Sequence, residues 1–304
     1  MAQAFDALAG ALSFDESPPL GSPVTPAAVP PLLVSLVDDA ALFPPGSAPM
    51  SVAVTSHPGH RAAWYADLVG VFLCPSSRLE EMRGVLPPDD RIGLGLIADQ
   101  GIEGLAGVLA EVMADPRLVL RKLEIAVAPE RVGSFVTLGA LELLPVDVEV
   151  YVELPPTPEG LRAIEVLQDV RRGTKLRTGG MTAAAFPTVE QVATFISTCV
   201  VHKVPFKCTA GLHQAIRHTD AVSGFMHHGF VNILVATARA VDGSSHLDIA
   251  DAIASTDGMR LATELSDLKP DVVRAARSAF RGYGSCSIEE PVADLLDLGL
   301  LIKG

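Results

Sequence analysis

Two stretches of this sequence end in cations set at every second residue. In Thr174-Lys175-Leu176-Arg177 an extended backbone puts Lys175 and Arg177 on one face and Leu176 on the other. In Phe206-Lys207-Cys208-Thr209 it pairs Lys207 with Thr209 and turns Phe206 and Cys208 away. Acids recur upstream with the same spacing, Glu124 in Leu123-Glu124-Ile125 and Glu149 and Glu153 on either side of Tyr151. A lysine is nucleophilic only when neutral, and a pKa of about 10.4 leaves roughly one in a few thousand neutral at pH 7. A second cation beside it disfavours the ammonium form, and a depression of about three units, roughly 4 kcal/mol, is attainable in an apolar wall. The free amine could then attack a carbonyl. The resulting iminium is an electron sink for making or breaking a carbon–carbon bond, with a carboxylate shuttling protons through water. The same residues suit a second use equally well, as charge-balanced pairs of lysine and glutamate filling a barrel interior.

Each cationic stretch runs into a turn of small residues, Thr178-Gly179-Gly180 and Thr209-Ala210-Gly211, and a third turn, from Arg281 through Gly284 and Ser285 to Ser287, ends the last apolar stretch. Glycine turns let backbone N–H groups approach an anion, and a turn before the final helix is where barrels commonly hold phosphate. His213, His218, His227 and His228 cluster after the second cationic stretch, without H-x-H, H-E-x-x-H or i,i+4 spacing, so no metal and no cofactor is expected. His213 is a candidate loop acid or substrate contact, whereas His227 and His228 are expected to start a helix near Met226. Cys74 and Cys286 fall at strand ends and are expected to be small buried hydrophobes.

The elements that must position these groups alternate every 20–30 residues from about residue 66. Strands are predicted over 69–74, 92–98, 119–127, 146–153, 174–177, 205–209 and 279–285, with a first strand near 36–43. Between them lie amphipathic helical stretches. In 102–113 Ile102, Leu105, Leu109 and Val112 hold one face. Thr157-Pro158-Glu159 opens a helix as an N-cap followed by proline, and Thr188 with Gln191 forms a capping box for a helix burying Val192, Phe195, Ile196 and Cys199. Between 210 and 278 the rhythm breaks, and two helices, about 226–241 and 246–256, are predicted as an insertion before the last strand. A final helix is predicted over 291–298.

Such alternation requires parallel strands with crossover helices. In a doubly wound sheet the central strands are continuous apolar runs; here Val146 to Glu153 places valine at Val146, Val148, Val150 and Val152, and Ile92-Gly93-Leu94-Gly95-Leu96 alternates with glycine. One face per strand would meet the helices and the other a closed interior. The pattern favours a single (β/α)8 TIM-type barrel over 31–304, preceded by a loosely ordered, proline-rich arm over 1–30 with a short helix near 5–12.

The chain has 304 residues, with 23 Lys+Arg against 36 Asp+Glu, a net charge of −13. That acidity disfavours nucleic acid and anionic membranes as partners, and leaves a small carbonyl compound or small anion as the expected ligand. Residues 1–60 contain no Lys or Arg, unlike the basic start of a secretory signal, and no run reaches the ~18 apolar residues of a membrane span. Four cysteines without a C-x-x-C pair fit a reducing compartment, so the expected location is cytoplasmic. A homo-oligomer is the general expectation for a barrel of this size.

The order of motifs resembles the deoxyribose-phosphate aldolase family, lysine-dependent class I aldolases. That family opens on an Asp-His-Thr-Leu-Leu-Lys-Pro type segment, against Asp39-Ala40-Ala41-Leu42-Phe43-Pro44-Pro45 here; its second strand ends in Cys/Val-Asn-Pro, against Leu73-Cys74-Pro75. Its Lys-Thr-Ser-Thr-Gly strand end is similar to Lys175-Leu176-Arg177-Thr178-Gly179. Its Phe-Lys-x-Ala-Gly-Gly segment is similar to Phe206-Lys207-Cys208-Thr209-Ala210-Gly211, and its Arg-x-Gly-Thr-Ser-Ser loop to Arg281–Ser287. The resemblance implies that Lys175 forms the imine, Lys207 depresses its pKa and Glu124 is the acid/base. Substrate contacts would then come from Glu153, Arg177 to Gly180, Thr209, Gly211, His213, Arg281, Gly284 and Ser285. Arg177 replaces the family's small hydroxyl residue. The chain also resembles bacterial barrel proteins that share the Leu42–Pro45, Lys175–Gly180 and Phe206–His213 segments, from which no activity follows. Arg177, a permanent fork-shaped cation, suits two other uses: a non-catalytic barrel binding an anionic metabolite, or an imine-free isomerase or decarboxylase that holds an anion with Arg177 and Lys207.

Overall fold

The computed structural model describes residues 29–101, 104–126 and 147–303. Eight parallel strands close into a barrel: β1 (Val37–Asp39), β2 (Val69–Pro75), β3 (Ile92–Ala98), β4 (Leu118–Ala126), β5 (Glu149–Glu153), β6 (Gly173–Arg177), β7 (Phe206–Thr209) and β10 (Phe280–Ser285), with β10 closing on both β7 and β1. The first strand is shorter than the alternation suggested, and the fifth begins at Glu149. The predicted helix near 5–12 and Ile102 lie outside the described residues.

The alternation has the expected cause. Phe72, Leu94, Leu96, Leu123, Ile125, Val150, Val152, Leu176, Phe206 and Cys208 turn outward into one continuous core under the helices. Each such side chain contributes about 1.5–3 kcal/mol when fully buried. The helices are opened by the predicted devices. The Thr157 side chain accepts from the Gly160 amide at the start of Pro158–Asp169, and Thr188 with Gln191 completes a capping box on Val189–Val201. By length and composition alone Ala183–Val201 could cross a membrane. It is, however, a short 3-10 turn joined through Pro187 to a helix whose Val192, Phe195, Ile196 and Cys199 are buried, and a core helix passes the same test.

Inside the barrel the residues divide. On the β1–β3 side Ala40, Val71 and Leu73 form a small apolar cluster with Phe43 and Ile97 against it. The glycines of β3 make room for it: a Cβ on Gly95 would stand 2.5 Å from Leu73 Cδ2 and 2.8 Å from Val71 Cγ2. On the β4–β7 side the interior is ionic, and the Tyr151 ring lies so close to Gly173 that a Cβ there would meet it at 2.6 Å.

The segment after β7 departs from expectation. Met226 and His227 do not open a helix; they form β9 (Met226–His227), paired antiparallel with β8 (His218–Thr219), and the helix starts at Phe230. Four helices follow rather than two: Phe230–Val241, His246–Ala254, Gly258–Ser266 and Pro270–Ala279. The Asp257 side chain caps the third by accepting from the Arg260 amide, and Pro270 opens the fourth at its first turn, where its missing N–H costs nothing. The last helix is Glu289–Asp297.

Candidate functional site

Parallel pairing sets Lys175 directly opposite Lys207 on β6 and β7, and Glu153 opposite Lys175 on β5 and β6. All three side chains enter the barrel, and an unbroken chain of ion pairs runs through it. Lys122 Nζ donates to both oxygens of Asp38 at 2.9 and 3.0 Å. Asp38 Oδ2 also accepts from Lys207 Nζ at 2.5 Å. Lys207 donates in turn to Glu124 Oε1, and Glu124 Oε2 accepts from Lys175 Nζ at 2.9 Å. Lys175 reaches Glu153 at 3.0 Å, whose other oxygen accepts from Arg177 Nε at 3.0 Å. Positive and negative groups thus alternate from Lys122, near the amino ends of the strands, to Arg177 at their carboxyl ends. Lys175 and Lys207 share the two oxygens of one carboxylate, with the Lys207 ammonium 5.6 Å from the Tyr151 ring centroid.

The protonation states follow from this arrangement. Burial alone would raise the Glu124 pKa, but Lys175 and Lys207 outweigh it and hold the carboxyl far below the usual range. Asp38 and Glu153 are lowered for the same reason, by Lys122 and Lys207 and by Lys175 and Arg177 respectively. Burial opposes the ammonium form of Lys175 and Lys207, yet their carboxylate partners push both pKa values above the ordinary lysine range. The expectation that Lys207 depresses Lys175 is therefore corrected for this state, because two carboxylates stand closer to Lys175 than any effect of its neighbour can offset. Lys122 is the lysine of the chain with a lowered pKa: burial and the charge of Lys207 exceed the pull of Asp38.

Access divides the candidates further. Lys207 is sealed, at 0% exposure, and Lys175 nearly so at 4%. The Arg177 side chain is 52% exposed and Glu153 18%, so these two form the open edge of the site. The turns after β6 and β7 serve packing. The Thr178 hydroxyl donates to the carbonyl oxygens of Thr209 at 3.1 Å and Ala210 at 2.5 Å. A Cβ on Gly179 would come within 2.9 Å of Gly211 Cα, one on Gly180 within 2.7 Å of Ala185 Cβ, and Gly211 has φ +73°. Gly179 and Gly211 are required by the approach of two backbones, and Gly180 by the Ala185 side chain. Gly284 meets the apolar Leu73 and Ala40, and the Ser285 hydroxyl donates to the Ser287 carbonyl at 2.6 Å. Thr209 pairs in register with Arg177.

Arg281 does not stand with the others. Its place at the second residue of β10, beside a register shift against β7, sends it into the opposite end of the barrel, where it pairs with Glu149. At the carboxyl ends His213 Nδ1 lies 3.5 Å from Cys286 Sγ and 3.6 Å from a Glu290 carboxylate oxygen. His227 stacks on Phe186, and His228 is buried between the Pro187 carbonyl, at 2.7 Å, and Arg217, at 3.0 Å. Those partners require the neutral ring, and burial pushes its pKa down to about 4. Among the described residues no group of three or more His, Cys, Asp or Glu side chains could hold a metal.

Asp38 and Lys122 were missed by sequence reasoning. Lys122 lies two residues before Glu124 and shares its face, so the alternation already applied to Glu124 points to it. Asp38 sits in a three-residue strand too short to show a period. Outside the barrel wall Asp39 makes a second buried pair, with His57 of the helix Met50–Ala62 at 2.9 Å.

A comparison with protein-family models finds none that matches this chain, and a comparison with curated proteins finds no match either. The fold, a closed eight-stranded parallel barrel, is consistent with an enzyme, and barrel enzymes place their sites at the carboxyl ends of the strands.

Proposed function

We propose that the barrel is a lysine-dependent lyase of the aldolase type acting on a small carbonyl compound, with Lys175 as the amine. The observation that carries this reading is the Glu124 carboxylate, held between the amines of Lys175 and Lys207 from paired positions on neighbouring strands. Glu124 is the carboxylate within hydrogen-bond reach of the Lys175 ammonium, so the proton that Lys175 gives up on activation passes to it. The neutral amine then attacks the substrate carbonyl, Glu124 returns its proton to the carbinolamine oxygen so that water leaves and the iminium forms, and Glu153 takes the proton of the hydroxyl whose carbon–carbon bond breaks. The electrons of that bond pass to the iminium. Lys207, without access, keeps Glu124 ionised until the transfer and so positions it. Arg177, half exposed and, among the described residues, held through Nε alone, is the substrate's anion contact. The turn after β10 is the poorer anion seat, because Glu289 and Glu290 occupy the first turn of the helix behind it.

The raised pKa of Lys175 favours a second reading, in which it acts as a fixed ammonium for an enolate oxygen and Glu153 as the base, giving isomerisation or decarboxylation without an imine. Borohydride reduction in the presence of small aldehydes, with and without a carboxylate, separates the two. The imine reading expects a mass increment on Lys175, absent in Lys175→Arg. No adduct, together with turnover that survives Lys175→Arg, overturns it in favour of the second.

A further inference from the structure

We propose that the cavity at the amino ends of the strands, opposite the site just described, binds a compact anion carrying at least two negative charges. The cavity has an open volume of about 1000 Å³ and is lined by Arg61, Arg91, Arg121, Lys122, Arg277 and Arg281. Six of the 23 Lys+Arg of an acidic chain therefore converge on one hollow. The acids around it are Asp90, Asp147 and Glu149.

Several arginines elsewhere meet carboxylates, Arg78 with Glu81, Arg117 with Asp115, Arg162 with Glu159 and Arg239 with Glu264, while among the described residues Arg217 meets only the ring of His228. In the cavity Lys122 and Arg281 are neutralised by Asp38 and Glu149. The other four have no carboxylate partner among the described residues. Arg61 donates to the carbonyls of Ala66 and Val69, at 3.1 and 2.6 Å, and Arg91 to that of Pro116 at 3.1 Å. Arg277 donates to the carbonyls of Phe280, Val34 and Arg281, at 2.6, 3.0 and 3.3 Å. Carbonyl partners satisfy the N–H groups of a guanidinium without cancelling its charge. At Arg277 burial, and then the nearby Arg281, push the pKa down to about 10 against the weaker opposing pull of Tyr151, Asp38 and Glu149, none of which is an ion-pair partner of Arg277. Among the described residues these four cations have no ion-pair partner and face two acids, Asp90 and Asp147, that have none either, an excess that a dianion would balance. A neighbouring cavity of about 300 Å³ shares Asp147, Glu149 and Arg281 and adds Arg171, continuing the cationic lining.

Planar forks on several sides suit carboxylate and phosphate groups alike. The full-length protein is titrated by calorimetry with sodium citrate and with sodium pyrophosphate, ionic strength being held constant with sodium chloride, and thermal unfolding is followed in parallel. Saturable binding of at least one probe, with a rise in Tm that chloride does not produce, is expected. Arg91 and Arg121 are exposed and form no ion pair among the described residues, so Arg91→Gln/Arg121→Gln should fold normally and weaken binding by about ten-fold or more. Arg177→Gln, at the other end of the barrel, should leave it unchanged. Absence of saturable binding by either probe overturns the proposal, as does binding that survives Arg91→Gln/Arg121→Gln but is lost in Arg177→Gln. The latter would place the anion at the carboxyl-end site and leave the catalytic reading standing.

Discussion

The two ends of the barrel handle charge in opposite ways. In the chain that runs from Lys122 to Arg177 every cation has a carboxylate, and Asp38, Glu124 and Glu153 each lie between two cations. At the amino ends arginines outnumber acids and four of them rest on backbone carbonyls or on nothing charged. The first pattern is buried except at the Arg177–Glu153 edge, and any single change in its buried part leaves a charge unpaired. The second is open to solvent, and its excess charge is available to a ligand. A net charge of −13 conceals both, because global balance says little about where cations gather.

Removing one partner of a buried pair leaves a charge that nothing compensates. Glu124→Gln strips a carboxylate from both Lys175 and Lys207 and should cost about 3–5 kcal/mol in urea unfolding. Glu149→Gln removes the partner of Arg281 where both side chains are 35–40% exposed, and solvent screening should hold its cost to about 1 kcal/mol or less. Equal losses would erase the contrast. The acid limb of stability sharpens it. Asp38, Glu124 and Glu153 have folded pKa values below their unfolded ones, so the stability they confer is complete above about pH 4 and is lost as pH falls through the depressed folded values. Thermal unfolding from pH 5 downward should fall more steeply for the native chain than for Glu124→Gln. The smallest effect is expected at the other end, where Arg121→Gln should change stability by less than about 0.5 kcal/mol in the absence of added anion.

Much of this was legible in the chain. Val148, Val150 and Val152 against Glu149, Tyr151 and Glu153 told inside from outside, and Lys175 and Lys207 were placed on one interior face because the side-chain period of a strand is two. Periodicity gives faces; it does not give partners. That two lysines would share Glu124 depends on three strands and on register, and register is what turns a supposed repulsion between Lys175 and Lys207 into two attractions. The periodicity shows the first two helices of the excursion and not Gly258–Ser266 and Pro270–Ala279, although their start signals are present in Asp257 and Pro270. The amino-end cavity had no local signature: Arg61, Arg91, Arg121 and Arg277 come from four separate segments, and only the closing of the barrel assembles them.

The ionic side of the interior also bears on how this barrel could be altered. Asp38, Glu124, Lys175 and Lys207 each have two partners, and Lys122 depends on Asp38 alone, so a replacement accepted at one position leaves an orphan at the next. An engineer wishing to make the interior apolar would have to exchange Asp38, Lys122, Glu124, Lys175 and Lys207 as a block, with total volume preserved, since wholesale hydrophobic replacement of such a network is tolerated where single deletions are not. Over generations the same constraint would make these five positions drift together or stay still.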